Sequence, residues 1–502
     1  SGGFEPLRIQ VAGSLSAVVG GQLYIEQVAD ETLTIQHTAT TPVTSTFDPA
    51  DRGFSVPTTE VGQFGYITAT DSMKLPDRIE IPTDSAPIDS LTVENAFAAG
   101  KIDISVVDEN SDADTTGDLI IGRIEAGGAS TPGGQRALEL HAAGSIYDLF
   151  TDTAAPIVNI TTTDPDGDVY LEAGEDIGRN GNFIDVTIAG ELTGTLGDDA
   201  FIHSVGDLYV GGTPLATANP RSFFESEDGN VTLDVDGTAH IGLIRAQGDG
   251  GTDSASGLTD GVVKIDAEDS IVDRRDDTDA NIIATGAILN AGVDDGVGAP
   301  DNGIGDIGTS DNPFETQVSR LEADVIGGGI WLDNDGHMQI GNISSQVGVR
   351  ADETVDISVA GDLTINELVE SEDSSAATYV SLDATGDIVV NAGIISNSAD
   401  VTLDAGQDVL FTANGFIDTE VGNTLRGLVT ILAARDVIMD DGSYVEARDD
   451  YIDMDAGRDI GLSNLRTTTQ VDIDAATGDI YDNGDSAPEI VAEYAQLSAY
   501  GD

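Results

Sequence analysis

The sequence predicts an all-β protein folded as a parallel β-helix, a solenoid in which short strands stack in coils along one axis. Three observations support this fold class: a nine-residue pattern recurs along the chain, helical periodicity is hard to find, and 60 of the 502 residues are glycine. Self-similarity at a spacing of about 20 to 50 residues is typical of stacked repeat proteins. The lack of helical periodicity argues against an α-solenoid.

The recurring pattern is best represented by residues 401–409, VTLDAGQDV. Apolar residues two apart place two side chains on one face of a strand, and the small residues that follow allow a sharp corner. An aspartate then precedes the next apolar residue, where its carboxylate can satisfy corner amides. Copies of the pattern start at Leu138, Val169, Val231, Val263, Val355, Val380, Val401, Val429, Ile452 and Val471. The last six starts are 19 to 28 residues apart.

This spacing predicts a parallel β-helix of roughly 20 coils, stacked ~4.8 Å apart over ~100 Å. We expect residues 1–502 to form one continuous solenoid, because a signature near GSIYD at residue 144 returns at residues 269 and 478. The predicted divisions are a first superrepeat at 1–143 with a lateral insertion at 45–90, a second at 144–268, a third at 269–477, and a start of a further one at 478–502. The passage that follows the signature in both internal copies is similar to residues 1–25, so the last division is predicted to continue into the next copy.

Charge and composition exclude several classes of function. The chain has 91 acidic and 20 basic residues, a formal net charge of −71, and no cysteine. Such a surface repels nucleic acid and anionic membranes, and no apolar run is long enough to span a bilayer. We therefore expect no nucleic-acid partner and no membrane insertion. Self-repulsion of this size needs screening by salt or neutralisation by bound cations.

The acidic loop at residues 161–168, TTTDPDGD, is the best candidate for a metal site. Its first three acidic residues have the spacing of the first ligands of a calcium-binding loop, and hard oxygen donors at this density suit calcium. The candidate ligands are Asp164, Asp166, Asp168, Glu172 and Glu175. Against the site, Val169 stands where a sharp turn needs glycine, and Glu172 belongs to a repeat strand. The alternative is a solvated Asp-Pro-Asp-Gly turn.

Two further sets of acidic residues stand out. A looser calcium candidate consists of Asp294, Asp295, Asp301 and Asp306. The corner aspartates of the repeat would form a ladder of like charges ~5 Å apart if the coils stack in register; they are Asp362, Asp387, Asp408, Asp436, Asp459 and Asp479. Either cations neutralise this ladder or corner amides hold each carboxylate, and the second interpretation needs no ligand.

The remaining motifs carry little chemistry. Residues 303–308, GIGDIG, match a dinucleotide fingerprint by letters alone, because no helix follows them. His141 and His203 lie at similar repeat positions but lack the spacing of a zinc site. Trp331 is predicted to be a strand side chain. No catalytic residue is expected, because carboxylates are present throughout the sequence and basic residues that could bind an acidic sugar are nearly absent.

The units VTLDAGQDVLF and IDMDAGRDIGL, with the GDIG passages that precede strands, resemble the repeats of filamentous-haemagglutinin-type proteins. The resemblance covers most of residues 100–502 and the first 35 residues. It implies a right-handed parallel β-helix, export to the cell surface or the extracellular medium, and a structural or adhesive role. The chain departs from that pattern in its far greater acidity.

These observations favour an extracellular structural fibre or surface filament, built from units that are joined in tandem or stacked head to tail and adapted to salt or calcium. The first alternative is a surface adhesin that binds a glycan or a cell-surface ligand. The second alternative, a β-helix enzyme acting on polysaccharide, is the least favoured. An open, head-to-tail contact between identical units generates a fibre rather than a closed oligomer.

Overall fold

The computed structural model describes strands β1 to β9 in the first 116 residues and most of the chain thereafter. The later ranges are 117–127, 136–150, 157–165, 167–212, 223–248, 261–275, 277–293, 304–372, 378–397, 399–419, 427–447, 450–483 and 488–501. These residues contain strands and turns and no helix, so no helix within them could cross a membrane. They belong to two compact units, Ser1–Gly261 and Val262–Asp502, each described by itself.

The first unit consists of parallel strands, most of them three to six residues long. They are β1 (Leu7–Ile9), β2 (Gly13–Leu15), β3 (Ile25–Gln27), β4 (Leu33–Ile35), β5 (Gly62–Phe64), β6 (Ile67–Ala69), β7 (Met73–Lys74), β8 (Ser90–Ala98), β9 (Ile102–Val106), β10 (Asp118–Ala126), β11 (Leu138–Ala142), β12 (Ile146–Asp148), β13 (Ile160–Thr162), β14 (Val169–Ala173), β15 (Ile184–Thr187), β16 (Glu191–Leu196), β17 (Ala200–Ser204), β18 (Leu208–Val210), β19 (Phe224–Ser226), β20 (Val231–Val235), β21 (Ala239–Ile241) and β22 (Ile244–Ala246).

Most strands of the first unit pair in parallel with a strand two or more places along the chain, while β4 pairs with the next strand, β5. One column runs from β9 through β11 and β14 to β16, and Leu138 lies opposite Val169 in it, as the repeat predicts. The described part of the predicted insertion at 45–90, strands β5 to β7, also pairs in parallel with β8 and β9.

The second unit repeats the arrangement with greater regularity. Its strands are β23 (Val262–Ala267), β24 (Ile271–Asp273), β25 (Ile282–Ala291), β26 (Phe314–Val325), β27 (Ile330–Asn334), β28 (Met338–Ile340), β29 (Val349–Ala351), β30 (Val355–Val359), β31 (Leu363–Ile365), β32 (Val369–Ser371), β33 (Tyr379–Ala384), β34 (Ile388–Val390), β35 (Gly393–Ser396), β36 (Asp400–Ala405), β37 (Val409–Phe411), β38 (Phe416–Asp418), β39 (Val429–Ala433), β40 (Val437–Met439), β41 (Tyr444–Ala447), β42 (Ile452–Ala456), β43 (Ile460–Leu462), β44 (Asn464–Thr467), β45 (Gln470–Ala475), β46 (Ile480–Asp482), β47 (Ile490–Val491) and β48 (Tyr494–Ala499).

From β27 onward, every described coil has three strands, and each strand from β27 to β45 pairs with the strand three places later. The first column contains β27, β30, β33, β36, β39, β42, β45 and β48. The six repeat starts predicted from Val355 to Val471 lie directly opposite one another in it. The parallel β-helix and its repeat register are therefore confirmed. The division of residues 1–502 into superrepeats stays a prediction.

The core lies inside the coils because alternate residues of each strand point inward. In β30, the apolar residues Val355, Ile357 and Val359 are at most 2% exposed, whereas Asp356 and Ser358 between them face outward and are half-buried. Burying an aliphatic side chain of this kind contributes about 1.5–3 kcal/mol. A stack of such coils therefore obtains its stability from one narrow aliphatic core.

Close stacking at the corners explains one class of glycine. A Cβ atom on Gly457 would lie 2.1 Å from the carbonyl oxygen of Ala434 in the preceding coil. The backbones approach closely there because the Gly457 amide donates to the carbonyl of Ala433 at 3.0 Å. Only glycine fits at this corner without moving one coil away from the next.

Candidate functional site

The six aspartates of the predicted ladder lie at one corner of successive coils in the second unit. They are Asp362, Asp387, Asp408, Asp436, Asp459 and Asp479. In each neighbouring pair, Oδ1 of the earlier aspartate accepts a hydrogen bond from the backbone amide of the later one at 2.9–3.0 Å. Hydrogen bonds to an ionised carboxylate are stronger than neutral ones. The prediction that corner amides hold these carboxylates is confirmed for the five from Asp362 to Asp459.

Three basic side chains complete the ladder. His337 occupies the same position one coil earlier, where its Nδ1 atom accepts the Asp362 amide at 2.9 Å. Arg435 donates through Nε and Nη2 to the two carboxylate oxygens of Asp408 at 3.0 and 2.6 Å, and through Nη2 to Asp387 at 3.1 Å. Arg458 donates to Asp436 at 2.5 Å. Backbone amides and arginines therefore share the charge of the ladder.

A second acidic surface covers the outward face of the first strand column. Its carboxylates are Asp356, Asp383, Asp404, Asp453, Asp455, Asp472 and Asp474. Burial, followed by the charges of Asp404 and Asp356, raises the pKa of Asp383. Burial and the charges of Asp474 and Asp472 likewise raise the pKa of Asp455. Like charges therefore face one another on this surface, and a bound cation would relieve their repulsion.

A shallow trough of about 450 Å³ lies along this face and its corner. Small residues form most of the trough because the repeat places Ala-Gly or Ala-Ala after each strand. Leu432 replaces aspartate in the outward column, between Asp404 and Asp455. The trough therefore combines an apolar centre with carboxylates on both sides, and Asp474 adds a third carboxylate.

The last described coil has an uncovered face. Ala495, Leu497 and Ala499 of β48 lie opposite Val471, Ile473 and Ala475, three residues that are fully buried. These are the inward positions of the coil, yet Leu497 is 49% exposed. Other large apolar side chains exposed at this end are Tyr481, Val491, Tyr494 and Tyr500. Within the described residues, no later strand pairs with β48 and none covers these apolar positions.

The first unit contains a buried polar cluster. Asp148 Oδ1 accepts from the side-chain amide of Asn159 at 2.5 Å, and Asn159 Oδ1 accepts from the backbone amide of Asp185 at 2.8 Å. Asp185 Oδ1 lies 2.6 Å from His203 Nδ1, and Asp236 Oδ1 lies 2.9 Å from His203 Nε2. Burial alone would lower the pKa of His203, but the two carboxylates outweigh it and raise the pKa to about 9. His203 is therefore an imidazolium at neutral pH.

The second unit has the same cluster with one decisive difference. Asp273 Oδ1 accepts from the side-chain amide of Asn281 at 2.5 Å, and Asn281 Oδ1 accepts from the backbone amide of Glu315 at 3.0 Å. The residue opposite Glu315 in the next coil is Asp333, whereas the residue opposite Asp185 is His203. A carboxylate thus occupies the position that holds a cation in the first unit.

The predicted calcium ligands that the structure describes already contact protein groups. Asp168 Oδ1 accepts the Glu191 amide at 3.0 Å, and Glu172 Oε2 lies 3.0 Å from His141 Nδ1. Glu175 accepts a hydrogen bond from the Ser145 hydroxyl at 3.4 Å, and Asp306 accepts one from the Gly329 amide at 2.8 Å. The backbone carbonyl of Asp164 accepts the Gly167 amide at 2.7 Å. The other candidates lie outside the described residues; they are Asp166, Asp294, Asp295 and Asp301.

Within the described ranges, no group of three or more histidines or acidic residues has the arrangement of a metal site. Because part of each candidate cluster lies outside those ranges, the calcium site stays a prediction. The described carboxylates act as hydrogen-bond acceptors between coils, as the ladder aspartates do. Calcium at residues 164–175 would have to share them with these amide and hydroxyl donors.

Sequence reasoning missed one copy of the repeat and both buried polar clusters. Ala495 begins a further copy, because β48 stacks on β45 with Ala495 opposite Val471, the start of the preceding copy. Its closing Gly-Asp, the same pair as Gly386-Asp387, was the available signal. The clusters gave no local signal, because their contacts join residues 8 to 34 positions apart.

Comparison with known proteins adds no relative. No protein-family model matches the chain, and no curated protein or solved structure matches it significantly. The parallel β-helix is therefore established by the structure, while the resemblance to filamentous-haemagglutinin-type repeats rests on the repeat pattern.

Proposed function

We propose that this chain is a structural element of an extracellular filament, in which the last described coil is covered by the first coils of another copy, stacked head to tail or joined in tandem. The exposure of Leu497 carries the proposal. Ile473, which lies opposite Leu497 one coil earlier, is fully buried. Leu497 therefore occupies a position that a further coil would bury.

The other end of the described chain supplies strands of the required kind. β1 pairs with β3, and β2 with β4, in parallel. A parallel coil from one copy can therefore add to the free edge of β48 in another, with main-chain hydrogen bonds providing affinity and apolar side chains providing the core. This contact joins two different surfaces, so it repeats without closing and yields a filament.

Charge sets the condition for this assembly. A formal charge of −71 on each copy opposes association, because the copies repel one another at low ionic strength. Salt screens such repulsion over distances of roughly 8–10 Å at physiological ionic strength. Filament growth should therefore require salt or divalent cations, which suits a saline extracellular medium and the export that the repeat resemblance implies.

The experiment follows the sedimentation and negative-stain appearance of the full chain as sodium chloride is increased. We expect a monomer at low salt and linear assemblies at high salt. Leu497→Asp should prevent assembly, because it places a charge in the new core. Val347→Asp, at a 61% exposed position away from the last coil, is the matched control and should assemble normally. A monomer at every salt concentration, or assembly of Leu497→Asp equal to the unsubstituted chain, would contradict the proposal.

The trough favours a second candidate function, an adhesin for a neutral glycan. Leu432 provides an apolar surface, and the flanking carboxylates of Asp404 and Asp455 are hydrogen-bond acceptors for sugar hydroxyls. Glycan binding that Asp455→Ala weakens and Asp356→Ala leaves intact would support the adhesin. Equal binding by both variants would remove it.

A further inference from the structure

The strongest feature outside the proposed contact is the Glu315 carboxylate at the start of β26. Glu315 is only 8% exposed, and its Oε2 atom is buried without a hydrogen-bond partner in the part of the chain that the structure describes. A buried polar atom of this kind costs about 1–3 kcal/mol, and more when it is charged. The fold keeps it there, so its charge must be compensated.

The charged groups that face Glu315 are mostly of the same sign. Asp333 lies opposite it on β27, and Asp273 and Asp277 approach from the preceding segment. Arg275 offers little relief, because its guanidinium is directed to the carbonyl of Ala280 at 2.7 Å and to Asp277 at 3.8 Å. In the next coil, Ser358 lies opposite Asp333 and forms a side-chain hydrogen bond with it, and Asp356 adds another carboxylate opposite Trp331. Asp276 lies outside the described residues.

The equivalent cluster of the first unit shows which component is missing. There the carboxylate is Asp185, and the imidazolium of His203 lies against it at 2.6 Å. The two clusters share the aspartate–asparagine pair and the asparagine-to-amide hydrogen bond. They differ in the residue of the next coil, which is His203 in one and Asp333 in the other.

We propose that Glu315 is a proton-binding site, and that the bound proton takes the charge-compensating place that His203 occupies in the first unit. A protonated carboxyl has no net charge and brings a hydrogen-bond donor to a position surrounded by carboxylate oxygens. A metal ion is the less suitable occupant, since the described residues here include no three-ligand group. Loss of the proton places an uncompensated charge among three carboxylates, so it should loosen the strands around residues 314–318.

The raised pKa of Glu315 agrees with this arrangement of charges. Burial, followed by the charge of Asp273, raises the pKa of Glu315 from its ordinary 4.5 to about 7. Because the folded value is the higher one, the stabilisation is fully present below pH 4.5 and is lost as pH rises to about 7. Over that interval, one proton changes the opening equilibrium of the segment by up to about tenfold per pH unit.

The test is hydrogen–deuterium exchange of the full chain, corrected for intrinsic rates, at amides of residues 314–318. We expect opening to rise between pH 4.5 and about 7 and then to level off. Glu315→Gln, which is neutral at every pH, should remove this dependence, and Asp333→Asn should move it to lower pH by removing a like charge. Asp185→Asn is the matched control in the other cluster and should leave the dependence at residues 314–318 unchanged.

Three results would overturn the proposal. Opening that does not change with pH in the unsubstituted chain would show that Glu315 binds no proton in this range. A dependence that persists in Glu315→Gln would assign it to another group. A dependence that added calcium abolishes would assign the site to a metal ion. None of these results bears on the filament, whose test depends on Leu497.

Discussion

Removing one corner carboxylate should destabilise the second unit, whereas removing an equal charge from the outward face should not. Asp362 accepts the Asp387 amide at 2.9 Å, so Asp362→Ala leaves that amide without its acceptor. The Asp362 side chain is 43% exposed, so water can replace part of the lost contact. We therefore expect a loss of about 1 kcal/mol in the free energy of unfolding, near the middle of the range for one hydrogen bond.

Two further variants separate hydrogen bonding from charge. Asp362→Asn removes the charge but keeps a side-chain oxygen as acceptor, so it should cost less than half as much as Asp362→Ala. Asp383→Ala removes the same charge from the outward face. The pKa of Asp383 is raised by burial and by the neighbouring charges of Asp404 and Asp356. The substitution relieves repulsion, so it should change stability by at most about 0.5 kcal/mol or increase it.

Trp331, the only tryptophan of the chain, lies on β27 in the same unit and reports unfolding by its fluorescence during urea titration. Exchange at the Asp387 amide provides a local second measurement, which should speed up in Asp362→Ala and remain slow in Asp383→Ala. The reasoning is refuted if Asp383→Ala is as destabilising as Asp362→Ala. It is equally refuted if Asp362→Asn matches Asp362→Ala, because the carboxylate would then act through its charge.

Three other predictions concern histidine, glycine and calcium. Because the pKa of His203 is raised, its stabilisation is fully present below pH 6.5 and is lost as pH rises to about 9. The melting temperature of the first unit should therefore be lower at pH 9.5 than at pH 6. His203→Asn should reduce this difference. Gly457→Ala should lower the urea midpoint, because the new methyl group clashes with the preceding coil at a cost of about 1–3 kcal/mol. Gly286→Ala is the control and should be tolerated, because its new Cβ would lie 3.2 Å from the Cδ1 atom of Ile343, a movable side-chain atom. If the predicted calcium site exists, a chelator should lower the melting temperature and Asp164→Asn should abolish that effect, whereas an unchanged melting temperature would remove the site.

The repeat register could be predicted because each coil carries its own local signal. Val380 and Val401 begin the same alternation of apolar and polar residues, and a corner aspartate follows each at nearly the same distance. Period-two alternation and corner chemistry act over a few residues, so sequence alone reveals them. The corner amides that hold the aspartates followed directly from that register, because stacking places one aspartate beside the next.

The buried polar clusters could not be predicted for the opposite reason. Asn159 and Asp185 contact each other only because an intervening coil of variable length returns the chain to the same corner. His203 was noticed as a repeat position, but nothing local indicated that Asp185 and Asp236 would lie on both sides of it. Coil length decides such contacts, and insertions between the coils hide it from a periodic pattern.

The acidity of the chain therefore has two separable sources. Ladder carboxylates such as Asp408 act as backbone acceptors, so the coil geometry requires them whatever the function. Outward carboxylates such as Asp455 do not have this role, and they raise one another's pKa. They therefore lower stability unless salt or a bound ligand compensates their charge. A functional contact that depends on charge should consequently be sought on the outward face and at the last coil, since removing the ladder acceptors would damage the fold first.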